Sequence, residues 1–198
     1  CYATRINGAA IPSVKGQLEY DEQIPYFRAG QLGPYLETEK VLLCPKDIVE
    51  QRGSKKTQYL GRAVKLTSYT WNGSVCSFGA IGTTHKLSGF DATDIIQWET
   101  DEMGRPDGAN GPGFFFNDAG NRPDEGISQR HGGMRTKAGV DAQGSAAVGV
   151  VDGSVTKLAF KKWYDLAGGI AGGTRWRPAI LPNEVWNDPA RPTDGGYR

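Results

Sequence analysis

The sequence predicts an α+β domain, a small and mainly antiparallel sheet with long loops, and three observations carry that prediction. Of the 198 residues, 28 are Gly and 11 are Pro while hydrophobic residues reach only 38%, a composition in which long helices cannot dominate. The stretch 145–160 places two strand-forming runs on either side of Asp152-Gly153, the pattern of a hairpin with a tight turn. Asp94 to Thr100 is rich in β-branched and aromatic residues and reads as a second strand, while Lys161 to Leu166 suits one or two helical turns.

The elements follow in order. Residues 1–25 have no period and form an irregular lead-in containing Pro12 and Pro25; residues 26–198 form the globular domain. Phe27, Leu32, Tyr35 and Leu36 make one apolar side of a short helix or turn pair broken by Gly30, Gly33 and Pro34. Val41 to Cys44 is a short apolar run stopped by Pro45, the mark of a buried strand end, and Lys46 to Gly53 looks like one helical turn. Tyr59 to Ser68 alternates loosely ahead of Asn72-Gly73, which predicts a strand and a tight turn, with Val75 to Phe78 as the return strand. Asp101 to Gly113 is a Gly- and Pro-rich surface loop closed by Phe114 to Phe116. Phe27, Leu36, Leu42, Val64, Ile95, Val148, Val150 and Leu158 are the core candidates.

Composition also excludes function classes. With 23 Lys+Arg against 22 Asp+Glu the net charge is +1, which leaves no overall footprint for nucleic acid. Ten per cent aromatic residues argue against disorder. The longest apolar stretch, Ala146 to Val151, is far short of a membrane span. A chain that opens at Cys1, without an initiator Met, is expected to be a mature product or a fragment, and an N-terminal Cys also suits a lipid anchor. Cys1, Cys44 and Cys76 form no Cys-x-x-Cys pair, so one disulfide plus an odd thiol is expected. Cys44 to Cys76 would close a loop of about thirty residues and contribute roughly 3 to 4 kcal/mol in an oxidising compartment.

Four segments in this order resemble a known family: Leu42-Leu43-Cys44-Pro45-Lys46-Asp47, Ser68-Tyr69-Thr70-Trp71-Asn72, Arg130-His131-Gly132-Gly133 and Val150-Val151-Asp152-Gly153-Ser154-Val155. Together with Ile95 to Glu99, Phe116-Asn117-Asp118, Asp124-Glu125-Gly126 and Trp186-Asn187-Asp188-Pro189, the series is similar to the prepilin-type, His-x9-Asp-Gly proteins of planctomycetes and verrucomicrobia. These are pseudopilin-like relatives of type II secretion and type IV pilin subunits. Two departures stand out. His131 and Asp152 are twenty residues apart rather than nine, as if 134–144 were inserted, and the family's basic leader and apolar N-terminal helix are missing from the chain as given.

The resemblance implies the globular head of a pilin-like subunit. It would be non-catalytic, extracytoplasmic, anchored in the inner membrane through the absent helix before assembly, and bound to other copies or related subunits in a filament or secretion pseudopilus. An extracytoplasmic head supports the Cys44–Cys76 pairing. It also implies a calcium loop, for which Asp118, Asp124 and Glu125 are the candidates; no other cofactor is expected.

Two sites compete with this structural reading. His131 oriented by Asp152 would make a hydrolytic dyad, although no nucleophile elbow accompanies it and His85 sits in a polar loop. The structural alternative has His131 bonding backbone groups at the turn made by Gly132 and Gly133, and Asp152 capping the hairpin turn beside Gly153. Trp71, Trp98, Trp163, Trp176 and Trp186 would form a glycan-stacking platform in a secreted carbohydrate-binding module, or else anchor a thin core. Cys44, Pro45, Trp98 and Trp186 are on this view structural residues.

Overall fold

A computed structural model of the chain describes residues 5–6, 9–10, 19–76, 83–102, 116, 119–132, 143–168 and 180–196. Arg5–Ile6 (β1) and Ala9–Ala10 (β2) pair antiparallel as a two-stranded ribbon. Helix α1 spans Tyr20–Ala29, so the irregular lead-in expected through residue 25 is helical over its last part. The signal lies in Glu19 and Glu22, which form a reciprocal capping box at the helix start. Pro25 is tolerated inside α1.

The Cys44 region departs from expectation. Glu39–Leu42 forms a 3-10 turn rather than a strand end, and Pro45–Arg52 is a full helix, α2, with Pro45 in its first turn. Proline there sacrifices no hydrogen bond, because the first helical N–H groups have no intrahelical partner. Lys56–Leu60 (α3) takes up the start of the segment expected to alternate as a strand. The strand β3 begins only at Tyr69 and runs to Asn72. Val75 and Cys76 lie in the turn after β3; the rest of the expected return strand lies outside the described residues.

The main sheet has five strands in the order β5-β3-β4-β6-β7, where β4 is Ile95–Glu99, β5 Gly120–Asn121, β6 Ser145–Val150 and β7 Val155–Ala159. All pairings are antiparallel except β3 with β5. The β6–β7 hairpin turns at Asp152-Gly153 as the sequence predicts, and Gly153 takes the left-handed φ of 85° that the turn demands. Helix α4, Phe160–Ala167, follows at once. The chain is therefore α+β.

Register separates the two faces of this sheet. Thr70, Trp98 and Val148 are mutual partners on one face and all are buried. That face packs with Ile127, Leu158, Phe160, Trp163 and Tyr164 into the larger core, and the Trp98 and Trp163 rings lie 4.8 Å apart. The opposite row, Trp71, Gln97, Gly149 and Val155, is half-buried to exposed. A second, smaller cluster joins Phe27 of α1 to Leu42, Val64, Leu66 and Ala119. There Gln23 ties α1 down by donating to the Ala63 carbonyl and accepting from the Lys65 and Leu66 amides. Of the core candidates only Leu36 is not fully buried.

Trp163→Ala should lower stability by about 3 to 5 kcal/mol in urea denaturation, because a fully buried indole leaves a cavity, whereas Trp71→Ala should cost less than half as much. A greater loss at Trp71 would contradict this assignment of faces.

Candidate functional site

The end of β4 points Glu99 away from the large core, into a cluster of charged groups shared with α2. Asp47, in the first turn of α2, is fully buried. Arg62 grips it with both terminal nitrogens, Nη1 to Oδ2 at 2.8 Å and Nη2 to Oδ1 at 3.0 Å, and Ser68 Oγ donates to Oδ2 at 2.7 Å. Arg62 also stacks over the Phe116 ring, 3.7 Å from its centroid. Burial alone would raise the Asp47 carboxyl, but these donors and the charges of Arg62 and Arg130 outweigh it and hold the group below the usual carboxylate range.

Arg130 sits at the centre, with none of its side chain exposed. Its Nη1 bonds Glu99 Oε1, and Nη2 lies 3.1 Å from Asp47 Oδ1 and 3.6 Å from Glu102 Oε2. Nε is 3.6 Å from Glu50 Oε2. Burial disfavours its charge, yet the surrounding carboxylates reverse that and raise its pKa. The backbone reinforces the arrangement: the Ser128 amide donates to the Glu99 carbonyl, Ser128 Oγ to Glu102, and Lys46 Nζ to the Arg130 carbonyl.

His131, next in the chain, turns outward with 44% of its side chain exposed. Its Nε2 lies 3.3 Å from Cys44 Sγ and 3.1 Å from Glu99 Oε2. The turn around it closes by a backbone bond from the Gly132 amide to the Gln129 carbonyl, and the ring's Nε2 faces two side chains rather than that backbone. Gly132 is required by close approach, since a Cβ there would meet the Phe160 ring at 2.5 Å and the Gln143 carbonyl at 2.7 Å. Cys44 occupies the N-cap of α2, its amide donating to Ser68 Oγ at 3.0 Å. A helix N-terminus favours a thiolate; burial, with the Glu99 charge beside it, prevails and pushes the thiol up. Burial likewise pushes Glu99 up against the pull of Arg130, and lifts Tyr69 to about 12. Cys44, Glu99 and His131 thus present sulfur, oxygen and nitrogen within 4.8 Å of one another.

Several expected sites do not form. Cys44 and Cys76 are not joined. Cys44 bonds Ser68 just before β3 and Cys76 lies beyond its far end, a separation of about 13 Å along the strand that no disulfide spans. Nor do His131 and Asp152 form a dyad. Gly132 touches Gln143 at the start of β6, while Asp152 lies past the other end of that strand, about 20 Å away. Asp152 Oδ1 instead accepts the Ser154 amide at 2.8 Å. His85 Nε2 faces Asp188 at 3.0 Å. For calcium, the Glu125 carboxylate accepts the Arg122 amide at 2.7 Å within the 3-10 turn Pro123–Glu125, and among the described residues neither it nor Asp124 belongs to a convergent ligand set. Asp118, Gly133 and Trp176 lie outside the described residues. Trp98, Trp163 and Trp186 are buried and offer no glycan platform; the indole nitrogens of Trp98 and Trp186 donate to the Gly126 and Gly195 carbonyls.

Sequence reasoning missed Glu99, Asp47 and Arg62 as site residues. The available signal was an acid closing the strand-forming run Ile95 to Glu99 and an Arg adjoining the histidine. Comparison of the chain with protein-family models, curated proteins and solved structures gives no match.

Asp47→Asn should lower stability by about 3 to 5 kcal/mol at neutral pH, because it leaves buried guanidinium groups short of a counter-charge. A carboxyl held low in the folded state contributes fully above its unfolded value of about 3.9 and loses that contribution as pH falls through the folded value. The gap between wild type and D47N in urea should therefore be constant from neutrality to about pH 5 and narrow steadily below about pH 4. A gap that does not narrow would show that the Asp47 charge is not what the cluster uses.

Proposed function

We propose that this chain is a non-catalytic, extracytoplasmic, pilin-like structural subunit that assembles with copies of itself or related subunits into a filament or secretion pseudopilus. The observation that carries this reading is the accessible row on the main sheet, Trp71, Gln97, Gly149 and Val155. One face of the sheet packs on the core under α4 at Thr70, Trp98 and Val148, while the other presents small residues, Gly149 and the exposed Ala147, with Trp71 and Val155, the latter at 74% exposure, further along the same row. The small residues of β6, between Gln97 of β4 and Val155 and Lys157 of the edge strand β7, leave a shallow trough suited to a neighbouring subunit.

The ordered segments shared with the prepilin-type family support the same reading. In the structure Cys44, Asp47, Ser68 and Arg130 from three of those segments meet in one charged cluster, which gives their joint presence a physical reason. No helix among the described residues is long and apolar enough to cross a membrane.

Sedimentation velocity at micromolar concentration tests the trough. Wild type should self-associate, and Ala147→Arg, at an exposed position on that face, should abolish association while changing the unfolding free energy in urea by no more than about 0.5 kcal/mol, the range expected of surface changes. A chain that is monomeric under these conditions, or whose association ignores the arginine, contradicts assembly through this face.

A further inference from the structure

We propose that Cys44 Sγ, Glu99 Oε2 and His131 Nε2 bind a single Zn²⁺ or a similar divalent transition metal, with a fourth coordination position open toward the solvent side of His131. The inference is independent of the subunit reading, since it rests on side-chain geometry alone. One imidazole nitrogen faces both the thiol and the carboxylate, at 3.3 and 3.1 Å. In a nucleophile–His–acid relay the ring uses opposite nitrogens, one for the nucleophile and one for the acid. A single nitrogen has one proton or one lone pair and cannot serve both neighbours well. Three donor atoms of different type within 4.8 Å of one another are instead an arrangement that can surround a cation. Ligands at about 2.0 to 2.3 Å from a tetrahedral Zn²⁺ lie about 3.3 to 3.6 Å from each other; the two separations from His131 Nε2 need open by only a few tenths of an ångström, and the sulfur and the carboxylate oxygen are within 4.8 Å.

The donor set selects the metal. Sulfur with imidazole and one carboxylate suits Zn²⁺ and its neighbours, whereas Ca²⁺ and Mg²⁺ require oxygen-rich shells. The supporting shell is in place as well. Arg130 holds Glu99 through Oε1 and leaves Oε2 toward His131, and Ser68 Oγ fixes the Cys44 backbone, which is how outer contacts orient ligands. Cys44 and Glu99 are buried while His131 is half open, so the ion reaches the site from the histidine side and water completes its coordination. On binding, the thiol proton passes to bulk water and the thiolate coordinates the ion. The ion would tie the start of α2, the end of β4 and the Gln129–Gly132 turn together, three segments far apart in sequence.

Co²⁺ titration of the chelator-treated full chain is the test, because a Co²⁺–thiolate bond has its own charge-transfer absorption. One equivalent of Co²⁺ should produce that band together with the intense visible bands of four-coordinate cobalt, and Zn²⁺ should displace both while Ca²⁺ and Mg²⁺ do not. Cys44→Ser should remove the charge-transfer band. His131→Ala, at a ring with 44% of its side chain exposed, should weaken binding at least about 10-fold, the loss that even outer contacts produce. Zn²⁺ should raise the thermal midpoint of wild type and not of H131A. No charge-transfer band in wild type, or a band and affinity indifferent to H131A, overturns the site, and displacement by Ca²⁺ overturns the metal class.

Discussion

A guanidinium taken wholly out of water is tolerated only when counter-charges surround it, and the end of this sheet is organised by that requirement. Arg130 is met by carboxylates from α2, from β4 and from the stretch just after it. Asp47 is shared between Arg130 and Arg62. The Coulombic gain repays desolvation only with such geometry, and removing one member costs far more than the cluster contributes as a whole. The cluster is thus a specifying device more than a stabilising one. It dictates which ends of α2, β4 and the Gln129–Gly132 turn meet, while the stability comes from the Trp98–Trp163 core on the opposite face of the same sheet.

Arg130, His131 and Gly132 divide three tasks among consecutive residues. Arg130 is spent inward on the carboxylates, His131 faces outward to Cys44 and Glu99, and Gly132 lets the turn pass the Phe160 ring without a clash. Glu99 links the inner and outer sets, one oxygen to Arg130 and the other to His131. Its immediate neighbour on the same face toward the sheet's middle is the row containing Gln97 and Trp71, so the cluster stands at the end of the accessible trough. The proposed metal position and the proposed assembly surface adjoin on one side of the sheet, with the fully packed core on the other.

Local chemistry made part of this legible in the sequence. The β6–β7 hairpin, β4 and the helix after β7 follow from periodicity and from the left-handed turn that Gly153 permits, all short-range properties. The segment 59–68 misled because its loose alternation is that of a buried but irregular stretch, in which Val64 and Leu66 fill the smaller core and Lys65 pairs with Glu19. Val41 to Cys44 read as strand because apolar runs of four do not distinguish strand from 3-10 turn. The disulfide and the His131–Asp152 dyad failed for one reason: both join residues at opposite ends of a strand, which spacing along the chain does not show. Conversely, Cys44, Glu99 and His131 are brought together from three segments only by tertiary pairing, and Glu99 looked like no more than the polar end of a strand.

If Arg130 and its carboxylates act as one unit, their contributions to stability must be non-additive. A double-mutant cycle in urea with Asp47→Asn, Arg130→Met and the pair together measures this directly. The account predicts that the double variant is less destabilised than the sum of the singles by about 2 to 3 kcal/mol, the upper part of the range for residues in one network. Additivity within about 0.5 kcal/mol would mean that the two side chains act independently and that the charged cluster does not hold this end of the sheet together.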